Sequence, residues 1–165
     1  LTRTPLRGAQ PSNASCPGRW IIAIFLALTL AFGPSMSDDL IIAAATAAAK
    51  AYAPYSNYHV GAAIRGPSGA IYAGCNIENA AYPQGWCAEP TAISHTIVAG
   101  ETQIDEVCVW ADSVNACTPC GGCRQKLAEF GSAETVVISA GPNGERGRWT
   151  LGELLPEAFT LEGDA

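Results

Sequence analysis

Three cysteines and one glutamate carry the most specific chemical signal in this chain: Cys87 with Glu89 two residues on, and Cys120 with Cys123 in a Cys-x-x-Cys pair. Such a pair is a common zinc chelate, and one further thiolate from Cys87 makes three ligands, leaving a fourth tetrahedral position open for water. An open position is the mark of a catalytic metal. Glu89 stands close enough to Cys87 to handle protons for that water without ligating the metal. A structural reading competes with this one. Cys117 extends the pair to Cys-x-x-Cys-x-x-Cys, so four cysteines could close around a structural zinc or form part of an iron–sulfur pattern. No Cys-Pro follows at cluster spacing, and Cys117 precedes Thr118-Pro119, which favours a loop for it. Cys75 and Cys108 lie in apolar runs and read as small buried hydrophobes.

For the three thiols to meet, the elements carrying them must converge. Cys87 opens a helical stretch, Ala88 to Ala99, with Gly100 at its C′ position and Pro90 tolerated in the first turn. Cys120 and Cys123 open the next helix, Cys120 to Phe130. Amide dipoles at two helix N-termini favour thiolates there, and zinc is the natural occupant of such a sulfur set. Upstream, Leu40 to Ala53 is Ala-rich with helical spacing, opened by Ser37 and closed before Pro54. Tyr58 to Arg65 and Ala70 to Gly74 flank Gly66-Pro67-Ser68-Gly69 and predict an antiparallel hairpin. Asn76 to Trp86 reads as a loop, and Ile104 to Trp110 and Thr135 to Ser139 as buried strands. The order αββαβαβ implies a mixed sheet covered by helices.

Length and composition bound the function. A chain of 165 residues is one domain with room for a core, and 48% hydrophobic against 15% charged residues excludes disorder as its theme. Fifteen acidic against nine basic residues, a net charge of −6, argue against nucleic acid as a partner. Seven cysteines without the spacing of a disulfide scaffold point to metal or thiol chemistry in a reducing compartment, the cytoplasm, and no membrane partner is expected.

Residues 1–35 differ from the rest. Arg3, Arg7 and Arg19 precede an apolar run from Trp20 to Phe32, and no acidic residue appears before Asp38. The run is too short to span a membrane but matches an export signal, with Ala31-Phe32-Gly33 as a passable cleavage site. Against export, Met36 is the only methionine and stands directly before Ser37-Asp38-Asp39, a good helix start. The expectation is a non-native or targeting tail over 1–35 and a single domain over 36–165.

The residues Cys87-Ala88-Glu89 and Pro119-Cys120-Gly121-Gly122-Cys123-Arg124-Gln125, preceded by Gly74-Cys75-Asn76-Ile77-Glu78-Asn79, closely resemble the small homotetrameric cytidine deaminases. The resemblance runs from about Ala51 to Phe159. It implies an α/β fold of the three-layer α-β-α cytidine-deaminase-like kind, with a mixed sheet of about five strands. It also implies one Zn2+ per chain on Cys87, Cys120 and Cys123, activating a water that attacks C4 of the pyrimidine, with Glu89 as the proton carrier. Asn76 and Glu78 would bind the ribose 3′-hydroxyl, so that free cytosine is a poor substrate. Tyr58, where the family has Phe, and Phe159, reaching into a neighbouring subunit, would stack on the ring. The backbone groups of Ala88 and Cys120 would meet the base edge.

One departure stands out. Many members carry Arg directly after the catalytic Glu, where it offsets the surplus negative charge of three thiolates on one Zn2+; here that position is Pro90. Arg124, directly after Cys123, is the expected substitute. His59 and His95 read as packed or surface histidines. The expected substrates are cytidine and 2′-deoxycytidine. The rivals are another aminopyrimidine nucleoside, as in blasticidin S deaminases, which also lack Arg after Glu, and a non-catalytic zinc module.

Overall fold

The computed structural model describes residues 36–161. The expected tail over 1–35, with its apolar run, lies outside them. The described elements, in chain order, are α1 (Met36–Ala48), β1 (Val60–Arg65), β2 (Ile71–Cys75), a single 3-10 turn (Tyr82–Gln84), α2 (Ala88–Val98), β3 (Glu106–Ala111), α3 (Gly121–Ala128), β4 (Val136–Gly141), β5 (Gly144–Thr150) and α4 (Leu151–Leu154). Among the described residues no helix is long and apolar enough to cross a membrane.

The five strands form one mixed sheet in the order β2-β1-β3-β4-β5. β1 is antiparallel to both β2 and β3, β3 and β4 are parallel, and β5 returns antiparallel to β4. Parallel pairing of β3 with β4 requires a crossover, and α3 provides it. Side chains alternate across each strand, and the two faces fill two cores. On one face, Ala63, Cys108, Ile138 and Ala140 pack against Leu40 and Ala44 of α1. On the other, Ala62, Ile64, Val107, Val109 and Val137 pack against Ala88 and Ala92 of α2 and Leu127 of α3. Helices on both faces of one sheet give the three-layer α-β-α architecture. Cys108 belongs to the first core, and burial pushes its thiol up to about 12, so it is a hydrophobe at neutral pH.

Two glycines set how closely the helices approach. A Cβ on Gly61 of β1 would lie 1.9 Å from the Ala44 carbonyl oxygen of α1, and one on Gly74 of β2 would lie 2.5 Å from the Ala92 nitrogen of α2. The second approach matters for the site, because α2 carries Cys87 and Glu89 at its start. Thr91 reinforces it, its hydroxyl standing 3.1 Å from both the Cys75 and the Cys87 carbonyl oxygens.

The structure departs from the sequence reading in three places. The first helix is expected over Leu40 to Ala53 but ends at Ala48, because Tyr52 is taken by an extended pairing. Its N–H donates to the Asn76 oxygen at 3.1 Å and its carbonyl accepts from the Glu78 N–H at 2.7 Å. Ser37 lies inside that helix rather than opening it, and its hydroxyl accepts from Arg148 of β5 at 3.0 Å. Finally, β5 is absent from the order αββαβαβ. Its residues, Gly-Glu-Arg-Gly-Arg-Trp-Thr, show no apolar alternation because the strand is a half-exposed sheet edge.

Candidate functional site

Helices α2 and α3 both begin at a cysteine. Cys87 is the N-cap of α2, with φ −72° and ψ 162°, and Cys120 is the N-cap of α3, with φ −65° and ψ 166°. Neither side chain caps its own helix, so both sulfurs are free to point elsewhere. They meet Cys123, one turn into α3 and 1% exposed. The three sulfurs lie within 4.8 Å of one another. Tetrahedral zinc with bonds of ~2.3 Å sets its sulfurs about 3.8 Å apart, so small rotamer adjustments close this triangle on the ion. The donor set fits zinc.

Cys117 stays outside the triangle. Its N–H donates to the Ser139 hydroxyl at 2.8 Å, and its thiol shares a hydrogen bond with the Tyr58 hydroxyl. Among the described residues the metal-competent group is therefore three cysteines and not four. Within the triangle, hydrogen bonding from Cys123 brings the Cys87 thiol down to about 6, with Cys120 adding to the effect. Cys123, the donor in that bond and the more deeply buried of the two, is pushed up.

Glu89 sits in the first turn of α2 and is 4% exposed. Burial raises its carboxyl above the ordinary glutamate range, and the negative charge of Cys87 adds to the rise. Hydrogen bonds from its own backbone N–H and from Cys123 oppose it, together with the charge of Lys126. Such a carboxyl exchanges protons nearer neutral pH than a solvated one.

A cleft of about 470 Å³ opens over these groups, lined by Cys87, Ala88, Glu89 and Cys120 and by Tyr58, Asn76 and Glu78. That volume suits a small ligand. Asn76 is held against β1, its Oδ1 accepting from the Val60 N–H and its Nδ2 donating to the Tyr58 oxygen, both at 2.9 Å. Glu78 is held by the turn before β1, accepting from the Tyr55 N–H at 2.8 Å and from the Ser56 N–H and hydroxyl. The Ser56 hydroxyl is the main cause of its lowered carboxyl pKa. From sequence, Tyr55 and Ser56 have no assigned part in holding Glu78.

Two expected residues stand apart from the cleft. Arg124 is part-buried and donates to the Pro119 and Leu154 oxygens, each at 2.8 Å, and to the Thr118 hydroxyl at 3.3 Å. It clasps the loop before α3 to α4. Phe159 is 71% exposed and does not line this cleft, while its backbone is pinned to Gln125 by reciprocal bonds of 2.8 and 3.1 Å. Of the histidines, His95 packs its Nδ1 2.7 Å from the Ala73 oxygen.

The comparisons agree with this geometry. A family model described as the cytidine and deoxycytidylate deaminase zinc-binding region matches residues 35–140. A cytidine deaminase of Sporosarcina psychrophila is 40% identical over 125 residues, covering 76% of this chain and 92% of the relative. Among solved structures, the cytidine deaminase of Burkholderia pseudomallei superposes with a TM-score of 0.69 at 40% identity, covering 73% of this chain and 97% of that one. The cytidine deaminase of Mycobacterium tuberculosis gives a TM-score of 0.65 at 36% identity, covering 74% and 96%. The family's zinc-binding region and the sulfur triangle together fit one Zn2+ per chain. With matched sequence, matched fold and a three-thiol site at two helix starts, this chain belongs to the cytidine and deoxycytidylate deaminase zinc-binding family.

Proposed function

We propose that this chain hydrolyses cytidine and 2′-deoxycytidine to uridine and 2′-deoxyuridine with release of ammonia, a reaction of pyrimidine salvage. The observation that carries this reading is the buried Glu89 lining one nucleoside-sized cleft together with Cys87 and Cys120, two members of the sulfur triangle. Cys87, Cys120 and Cys123 hold Zn2+, which when bound supplies the Lewis acidity that makes water a nucleophile at neutral pH. Water adds at C4 and the bond from C4 to the amino nitrogen breaks. Glu89 takes a proton from that water and delivers it to ring N3, then carries the second proton to the departing amine. Its raised pKa suits both directions of transfer. One carboxylate suffices because the two transfers are sequential.

Asn76 and Glu78 bind the ribose 3′-hydroxyl. Both are already fixed by the chain, and each keeps unused capacity, a second N–H on Asn76 and further lone pairs on Glu78. A ligand without the sugar would leave that capacity unpaired. Tyr58 stacks on the pyrimidine, and the backbone groups of Ala88 and Cys120 meet the base edge. Phe159 is exposed with its backbone fixed, which supports a role in a neighbour's cleft within a homotetramer. The thiols at Cys75, Cys87, Cys108, Cys117, Cys120 and Cys123, all free, favour a reducing compartment, the cytoplasm.

Ammonia release from cytidine, deoxycytidine, free cytosine and blasticidin S tests this reading. The two nucleosides should turn over, with kcat/KM for cytosine lower by about 10⁴-fold. Cytosine used as well as cytidine would remove the sugar contacts. Blasticidin S used in preference to cytidine would change the substrate.

A further inference from the structure

The zinc site described above has a charge problem. Three thiolates around one divalent ion leave a surplus negative charge, and the buried Glu89 carboxylate stands beside them. Two helix N-termini offset part of this. Position 90, next along α2, is a proline and brings no cation. Arg124 spends its guanidinium on the Pro119, Leu154 and Thr118 oxygens.

Lys126 is placed differently. It follows Cys123 by three residues on α3, and its Nζ lies 5.6 Å from the centre of the Trp86 ring. Trp86 directly precedes Cys87 and is itself held by an antiparallel bridge to Ile77. A Cβ built on Gly122 would lie 3.8 Å from the same Nζ, so the ammonium hangs over the turn between Cys120 and Cys123. Lys126 and Pro90 also border one groove of about 410 Å³. The ammonium thus spans the starts of both helices that carry the sulfurs.

We propose that Lys126, steadied over the Trp86 ring, is the positioning residue whose positive charge offsets the surplus negative charge of the zinc thiolate site. A cation over an indole face is attracted by the ring, which restricts an otherwise mobile side chain. The sequence signal is a lysine three residues after the last cysteine on a helix, the spacing that puts both on one face.

The inference rests on the reading of the sulfur triangle as a zinc site. Its test uses the full chain and the variants Lys126→Met and Lys126→Arg, with zinc affinity measured by competition against a chromophoric chelator. Lys126→Met should weaken zinc binding about tenfold, the usual scale for a group acting through a metal's ligands. Its kcat should fall while KM for cytidine stays within about twofold, since Lys126 is not among the cleft-lining residues. Lys126→Arg should restore both zinc affinity and kcat, and the loss in Lys126→Met should shrink at high ionic strength. Zinc affinity of Lys126→Met within about twofold of the parent would overturn the proposal, as would failure of Lys126→Arg to restore it. A parent chain that binds no zinc would overturn the site reading beneath it. Zinc binding without cytidine turnover would contradict only the substrate assignment, because the affinity arm stands by itself.

Discussion

The variant Glu89→Gln should keep its zinc and lose turnover on cytidine by about 10³- to 10⁴-fold, the scale of general acid–base catalysis. The substitution keeps the shape of a side chain that is 4% exposed in the first turn of α2, so packing is preserved. The amide cannot accept the proton of the attacking water or deliver it to ring N3. In the proposed mechanism the same carboxyl serves both transfers, so no partial route should survive through it. Glu89 lies outside the sulfur triangle, which is why zinc per chain should be unchanged. The check is kcat measured alongside zinc content. Turnover within tenfold of the parent would mean that protons move through another group.

Cys123→Ser should lose both zinc and turnover. Cys123 is the buried member of the triangle, 1% exposed, and a hydroxyl there is a far poorer zinc ligand than a thiolate. Two thiolates remain, too few for the three-ligand site that keeps one position open. The loss should extend to stability, since a metal that binds only the folded chain stabilises it by about 4 kcal/mol at a concentration 1,000 times its Kd. Zinc content and thermal unfolding with added zinc check both parts. Cys117→Ser is the matched control. Its sulfur lies outside the triangle, so zinc content should hold at the parent value. Zinc lost from the Cys117 variant would return the site to four ligands.

The sulfur cluster was legible in the sequence because each helix start is also a cysteine position. Once Cys87 and Cys120 are placed at N-caps, parallel packing of α2 and α3 on one sheet face brings their starts together. The strands were legible as short apolar runs, and the structure sorts Ala62, Ile64, Val107 and Val109 to one face and Ala63 and Cys108 to the other. What escaped is what depends on partners far along the chain. Tyr52 has helical neighbours, but its backbone is claimed by Asn76 and Glu78. The edge strand β5 owes its place to pairing with β4 rather than to its own residues. Arg124 looked like the cation for the site from its adjacency to Cys123, yet its donors end on carbonyl oxygens and a hydroxyl. The helical turn that points Arg124 toward α4 brings Lys126 round to Trp86.

The central claim is that the zinc at this triangle is catalytic. It is tested most directly by stripping the full chain of metal and following ammonia release from cytidine as zinc is added back in measured equivalents. Turnover should rise linearly and reach its plateau at one zinc per chain. Zinc taken up to one equivalent with no ammonia from cytidine or deoxycytidine, or full turnover before any zinc is added, would contradict it.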